Sequence, residues 1–306
     1  MKRTISDMSP TRRSVLKGIA SAATLAAAGV PKAIAAPPRR KSPPADAVGL
    51  LYDATRCIGC QACVVKCKEA NGLPPDTGTP RGAMYDAPDD LNAKTKNIIK
   101  LYKGEDGRTS FMKAQCMHCV DPACASVCMI SALHKGPRGI VEWDPDKCVG
   151  CRYCMTACPF NVPKYEWQTA FPKIVKCEMC RHLVAKGEIP ACVAACPREA
   201  VIFGALETLR ADAKGRLARE PKKYFPKVYG DTDGGGTQVL YLSAAGIPFG
   251  KLGLPDLGDA PVPELTESLT HAVYQGFIAP VVLYGILGVA VYRSWRSQRL
   301  GEGGEK

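Results

Sequence analysis

Four runs of cysteine carry the chemistry that can be read from this 306-residue chain. They are Cys57, Cys60, Cys63 and Cys67; Cys116, Cys119, Cys124 and Cys128; Cys148, Cys151, Cys154 and Cys158; and Cys177, Cys180, Cys192 and Cys196. All 16 cysteines of the sequence fall in these quartets, and every quartet opens with C-x-x-C and closes with C-x-x-x-C. Such an internal repeat points to one local structure used four times. Three chemistries compete for thiols in this pattern. A disulfide framework suits an exported protein, but bridges demand particular Cα separations and Cβ directions that neighbouring C-x-x-C thiols meet poorly. Zinc takes two C-x-x-C pairs from two knuckles. Iron–sulfur ligation takes three cysteines from one tight loop and a fourth from elsewhere.

The C-x2-C-x2-C-x3-C spacing of the first and third quartets is the run of bacterial ferredoxins, whose fourth Cys ligates the other cluster of a pair. The third quartet also has the closing Pro159, whereas Lys68 and Met129 stand after the fourth Cys of the first two. The cubane reading needs this arrangement: a seven-residue loop wraps three corners of a [4Fe–4S] cluster, and the remaining corner faces a cysteine of the paired motif. Four such clusters are expected. Nesting pairs the second quartet with the third and the first with the fourth. The ligand sets are then Cys57, Cys60, Cys63 with Cys196; Cys177, Cys180, Cys192 with Cys67; Cys116, Cys119, Cys124 with Cys158; and Cys148, Cys151, Cys154 with Cys128.

The elements that must position these loops are short. A β-hairpin is expected between Ala132 and Trp143 around Gly136-Pro-Arg-Gly139, strands at 97–102 and 109–114, and a helix over 206–219. Residues 69–96 read as an irregular insertion. The expected organisation is an α+β four-cluster domain over 36–220, with a central two-cluster module at about 111–165 nested inside an outer one made of 48–71 and 170–205. Residues 221–268 read as a C-terminal extension that packs over the cluster domain or against a partner. His118, between two ligands, is placed to hydrogen-bond near a cluster and not to bind iron; His134, His182 and His271 suggest nothing further. No nucleotide loop, flavin fingerprint or catalytic residue appears.

The chain has 41 Lys/Arg against 29 Asp/Glu, a net charge of +12. The first 35 residues hold six of the bases and one of the acids, which leaves +7 without them. Four oxidised clusters with their thiolates would bring about −8, so the basic excess is no nucleic-acid signal. Lys66, Lys68, Arg152, Lys176 and Arg181, within or beside the motifs, are candidates to offset cluster charge and raise reduction potentials.

Both ends point to a membrane. Thr11-Arg12-Arg13-Ser14-Val15-Leu16-Lys17, followed by an apolar run and Ala33-Ile34-Ala35, resembles a twin-arginine export signal over residues 1–35, cleaved after Ala35; an ordinary basic n-region is the alternative. Twin-arginine export carries folded cargo, which fits clusters assembled in a reducing cytosol. From Ala272 to Tyr292 no charged residue occurs, so a transmembrane helix is expected over 269–293. Arg293, Arg296 and Arg299 lie at the start of and within a basic tail (294–306) that the positive-inside rule leaves in the cytoplasm, with the cluster domain on the periplasmic face.

With the quartets, the run Cys116-Met-His-Cys-Val-Asp-Pro-Ala-Cys124, the segment Cys158-Pro-Phe-Asn-Val-Pro-Lys-Tyr165 and Gly234-Gly-Gly-Thr237, the chain resembles the four-cluster ferredoxin-like subunits of respiratory complexes. Its own export signal and C-terminal anchor make it most similar to the iron–sulfur subunits of membrane-bound nickel–iron hydrogenases of the hydrogenase-2 type. The resemblance implies a non-catalytic subunit with four [4Fe–4S] clusters, exported by the twin-arginine translocation machinery. It would relay electrons between the hydrogenase large and small subunits and an integral membrane quinone-reactive subunit. The alternatives are the β subunit of a formate dehydrogenase or other molybdopterin oxidoreductase and, in another class, a membrane-anchored zinc or disulfide interaction protein.

Overall fold

The computed structural model of the chain describes residues 41–75, 90–169, 172–267 and 278–301. The export motif at Arg12 and Arg13, the cleavage point after Ala35 and residues 76–89 of the expected insertion lie outside them. The chain divides into a unit of residues 40–263 and a second made of the two ends, 1–39 with 264–306.

The core of the larger unit begins with the alternation of β1 (Val48–Asp53). Leu50 and Tyr52 enter one apolar cluster while Leu51 enters another, as the two-residue period of a strand requires. β1 is the centre of a three-stranded sheet. It runs antiparallel to β8 (Val201–Ala205) and parallel to β9 (Val239–Leu242). β9 repeats the alternation, Val239 and Tyr241 to the first cluster, Leu240 and Leu242 to the second. A sheet covered on both faces explains its nearly unbroken apolar run. One cover is α6 (Leu206–Arg219), which buries Leu206, Leu209 and Ala213. A buried carboxylate fastens α6 to the sheet: Asp53 accepts from the Thr55 hydroxyl (2.6 Å), the Tyr224 hydroxyl (2.9 Å) and the Arg216 guanidinium (3.1 Å). Unpaired, that charge would be costly to bury.

Around this sheet the cysteine-bearing segments form short elements. They are α1 (Ala62–Ala70), β2 (Ile98–Lys103), β3 (Thr109–Ala114), α2 (Ala123–Ser126), β4 (Leu133–Lys135), β5 (Val141–Trp143), α3 (Tyr153–Ala157), β6 (Lys164–Tyr165), β7 (Ile174–Val175), α4 (Arg181–Val184) and α5 (Ala191–Ala194). β2 pairs with β3, β4 with β5 and β6 with β7, all antiparallel. The architecture is mixed α/β, with a hairpin, two strands and a helix at the expected places.

The segment read as an extension is integral to the core. Besides supplying β9, it accepts the Val120 N–H at the Gly236 carbonyl, and its Gln238 and Val239 N–H groups donate to the His118 and Met117 carbonyls. Gly234, Gly235 and Gly236 all have positive φ, so the Gly-Gly-Gly-Thr run threads a path that side chains would obstruct. It braces the loop that carries Cys116 and Cys119.

The expected membrane span lies only partly within the described residues. Residues 268–277 of that stretch lie outside the described residues, and among the described residues no helix is long and apolar enough to cross a membrane. What is described is α7 (Ile278–Gly301). Among the described residues its uncharged part runs from Ile278 to Tyr292. Val281, Leu283, Tyr284, Ile286, Val289 and Val291 are exposed on successive faces of this helix.

Candidate metal centres

The four cysteine quartets share a backbone as well as a spacing. The residue just before the second Cys of each, Gly59, His118, Gly150 and Met179, has φ of 72°, 47°, 69° and 52°. Left-handed backbone at this point curls the loop so that amides face its sulfurs. Thus Met179 N–H donates to Cys177 Sγ at 3.3 Å, and the Gly59 and His118 amides donate to Cys57 and Cys116. A second left-handed residue follows three positions after Cys128, Cys158 and Cys196, at Ser131, Asn161 and Glu199. There the chain turns back and Ala200 N–H reaches Cys196 Sγ at 3.2 Å. Such φ values are uncommon outside glycine; their recurrence in step with the cysteines ties them to the loop's task.

These loops bring the cysteines into four groups. Cys57, Cys60, Cys63 and Cys196 line one pocket, and Cys128, Cys148, Cys151 and Cys154 line another. Between them, Cys67 lies within electrostatic reach of Cys177, Cys192 and Cys180, and Cys119 within reach of Cys116, Cys124 and Cys158. The groups follow one another without a gap. Cys63 packs with Cys192 where α1 meets α5, Cys177 with Cys116, and Cys124 with Cys154.

The donor set fits [4Fe–4S] clusters and not the competing chemistries. All sixteen cysteines are free thiols. Among the described residues no three His, Cys, Asp or Glu side chains converge closely enough for a single metal ion. A tetrahedral zinc would need sulfurs roughly 3.8 Å apart, from 2.3 Å bonds. Groups of four cysteines, with amides directed at the sulfurs, suit a cubane.

Burial pushes the thiols up: Cys63 and Cys67 to about 12, Cys116 and Cys192 to about 11. Desolvation is the leading cause and neighbouring cysteines add to it, while lysines oppose it. Lys113 acts on Cys63, Cys67 and Cys192, and Lys176 on Cys116, Cys124 and Cys158. Lys176, 2% exposed, donates to the Val141 carbonyl at 2.5 Å. Lys135, brought down to about 8 mainly by burial, donates to the Cys119 carbonyl at 2.9 Å.

Of the basic residues singled out by sequence, Lys176 faces cysteines. Lys66 pairs with Glu69, Lys68 donates to backbone carbonyls of Pro74 and Lys94, Arg181 pairs with Glu142, and Arg152 stacks 4.2 Å from the Trp167 ring. Lys113 and Lys135 escaped notice because neither adjoins a cysteine. For Lys113 the available signal was its place on β3, next to the buried Ser110 and Met112. Tyr165 was also missed; its hydroxyl lies 2.5 Å from Cys154 Sγ. His118 is fully buried, and its Nδ1 accepts the Val141 N–H at 3.0 Å, clipping the second loop to β5. Burial, with Lys176 and Lys135 nearby, holds this imidazole neutral.

Fold and sulfur geometry together define an iron–sulfur electron-transfer protein. Residues 108–206 match the family model of the 4Fe-4S dicluster domain. The chain is 39% identical to the hydrogenase-2 operon protein HybA of Escherichia coli O157:H7, over 94% of this chain and 96% of that one. It is 34% identical to the formate dehydrogenase-O iron-sulfur subunit of Escherichia coli K12, over 78% of each chain. It is 33% identical to the formate dehydrogenase iron-sulfur subunit of Haemophilus influenzae, over 80% of this chain and 78% of that one. The chain belongs to the family of respiratory iron–sulfur subunits that includes these proteins. It is a non-catalytic electron-transfer subunit that carries four [4Fe–4S] clusters.

Proposed function

We propose that this chain relays electrons between a nickel–iron hydrogenase heterodimer of large and small subunits and an integral membrane quinone-reactive subunit. The observation that carries the relay is the unbroken succession of cysteine groups, joined through Cys63 and Cys192, Cys177 and Cys116, and Cys124 and Cys154. In this reading the ligand sets are crossed: Cys57, Cys60, Cys63 and Cys196; Cys67, Cys177, Cys180 and Cys192; Cys116, Cys119, Cys124 and Cys158; Cys128, Cys148, Cys151 and Cys154. A [4Fe–4S] cluster supplies one-electron chemistry at near-constant geometry. The protein's part is to hold thiolates at each corner, keep water from the inner groups, and space them for successive transfers.

Hydrogenase is favoured over formate dehydrogenase because the likeness to the hydrogenase-2 operon protein runs over 94% of this chain, against 78–80% for the formate dehydrogenase subunits. The same reading includes export through Arg12 and Arg13 by the twin-arginine machinery, cleavage after Ala35, and a membrane segment at 269–293 that leaves the domain on the periplasmic face. Support for the segment comes from α7, whose apolar side chains are exposed around its circumference, a distribution suited to lipid or to partner helices.

A strain lacking this chain is expected to keep hydrogen-dependent reduction of a soluble dye and to lose hydrogen-dependent reduction of membrane quinone. Undiminished quinone reduction would overturn the proposal. Loss of formate-dependent quinone reduction in its place would establish the formate dehydrogenase reading.

A further inference from the structure

Two buried lysines, Lys113 and Lys176, and the half-buried Lys135 approach the cysteine groups, and Lys113 differs from the other two in where it stands. Lys176 gives its ammonium group to the backbone carbonyls of Val141 and Cys177, and Lys135 to the Cys119 carbonyl and the Gln238 amide oxygen; their charges act on the group of Cys116, Cys119, Cys124 and Cys158. Lys113 rises from β3 into the junction between two groups. It lines the cavity of Cys57, Cys60, Cys63 and Cys196, and its charge also acts on Cys67, Cys177 and Cys192 of the next group. Cys63 and Cys192 pack together beside it.

The side chain is 1% exposed. Its hydrogen bond goes to a neutral acceptor, the Gln115 amide oxygen, and among the described residues no carboxylate pairs with it. An ammonium group taken out of water needs compensating negative charge within a few ångströms. The groups able to supply it are the thiolates on either side. A positive charge fixed between two redox centres stabilises the added electron on each of them, the more so in a medium of low dielectric.

Resting on the electron-transfer reading above, we infer that Lys113 is a counter-cation shared by the first two clusters, raising the reduction potential of both at once. One residue thereby couples the clusters of the outer pair and leaves the cluster of Cys116, Cys119, Cys124 and Cys158 to Lys176 and Lys135.

The test is a redox titration of the full chain, followed by electron paramagnetic resonance, with iron content measured alongside. The wild-type chain first establishes the relay itself, at about sixteen irons in four cubes; a failure there concerns the cluster reading and not Lys113. Lys113→Met and Lys113→Gln are then expected to shift two of the four midpoint potentials downward, each by at least tenfold in its one-electron equilibrium, about 59 mV. The other two stay in place, and Lys113→Arg stays close to wild type. If the neutral variants instead assemble with about half the iron while Lys113→Arg keeps it all, the shared cation is needed to hold the same two clusters, which also supports the inference. Unmoved potentials with full iron, a shift in a single cluster, or an arginine variant that behaves like the methionine one would overturn it.

Discussion

The loops Cys57-Ile-Gly-Cys-Gln-Ala-Cys63 and Cys148-Val-Gly-Cys-Arg-Tyr-Cys154 are near copies with different surroundings. Both use a left-handed glycine, at φ 72° and 69°, and a left-handed N-cap, Gln61 and Arg152, before a helix that carries the third Cys. Beyond that they diverge. Around the first loop, Phe111 closes over Gly59 and Lys113 is buried beside Cys63. Around the second, Pro172 closes over Gly150, Tyr165 approaches Cys154, and Cys151 is exposed among Val149, Tyr153 and Met129, which are exposed as well. The repeated sequence supplies the geometry of ligation, and non-repeated neighbours supply its electrostatics and its access to solvent.

The largest effect that bears on this contrast is metal removal. A structural metal site is worth on the order of 10 kcal/mol, and each kcal/mol moves the melting point of a domain this size by about 2–4 °C. Chelation under reducing conditions is therefore expected to lower the melting temperature by tens of degrees. The group holding exposed Cys151 should bleach first, followed by its visible absorption and resonance signal. Because burial holds the thiols protonated when no cluster draws on them, with Cys63 and Cys67 up at about 12, reconstitution should release protons and become more favourable as pH rises. Calorimetry in two buffers of different ionisation enthalpy reads that release.

Next come the two glycines. A Cβ at Gly59 would overlap the Phe111 ring, and one at Gly150 would stand 2.7 Å from Pro172 Cδ. Each alanine also meets a left-handed backbone, at a cost of about 1–2 kcal/mol, and the clash adds about as much again. Gly59→Ala is expected to be the more damaging in thermal unfolding of the loaded chain, and Phe111→Leu should restore part of the loss.

The tyrosines make the finest contrast. Tyr165→Phe removes a hydroxyl from Cys154 Sγ; a hydrogen bond worth about 1 kcal/mol corresponds to roughly 40 mV for one electron. One cluster potential should fall by about that amount with stability little changed. Tyr52→Phe should act on stability as well, because the Tyr52 hydroxyl, which lies beside Cys57, donates to the Phe111 carbonyl at 2.8 Å, and a buried acceptor left alone costs about 1–3 kcal/mol.

What could be read from the sequence was local. Cysteine spacing, the Gly136-Pro-Arg-Gly139 turn between β4 and β5, and the i, i+3, i+7 pattern of Leu206, Leu209 and Ala213 are set within a dozen residues. What could not was set by distant partners. Val239-Leu-Tyr-Leu242 is a plain apolar run until β1, nearly 190 residues earlier, lies beside it in parallel register. Lys113 looks like an ordinary charged strand residue until the cysteine groups on both sides are in place.

Crossed ligation is the central claim, and a serine series in the full-length chain tests it most directly. Cys57→Ser, Cys196→Ser and Cys177→Ser are each loaded, assayed for iron and examined by electron paramagnetic resonance. Cys57→Ser and Cys196→Ser are expected to perturb the same one of four cluster signals although 139 residues separate the two cysteines, and Cys177→Ser to perturb a different one. If Cys196→Ser and Cys177→Ser strike the same signal and Cys57→Ser another, each quartet closes its own cluster and the crossed wiring is wrong.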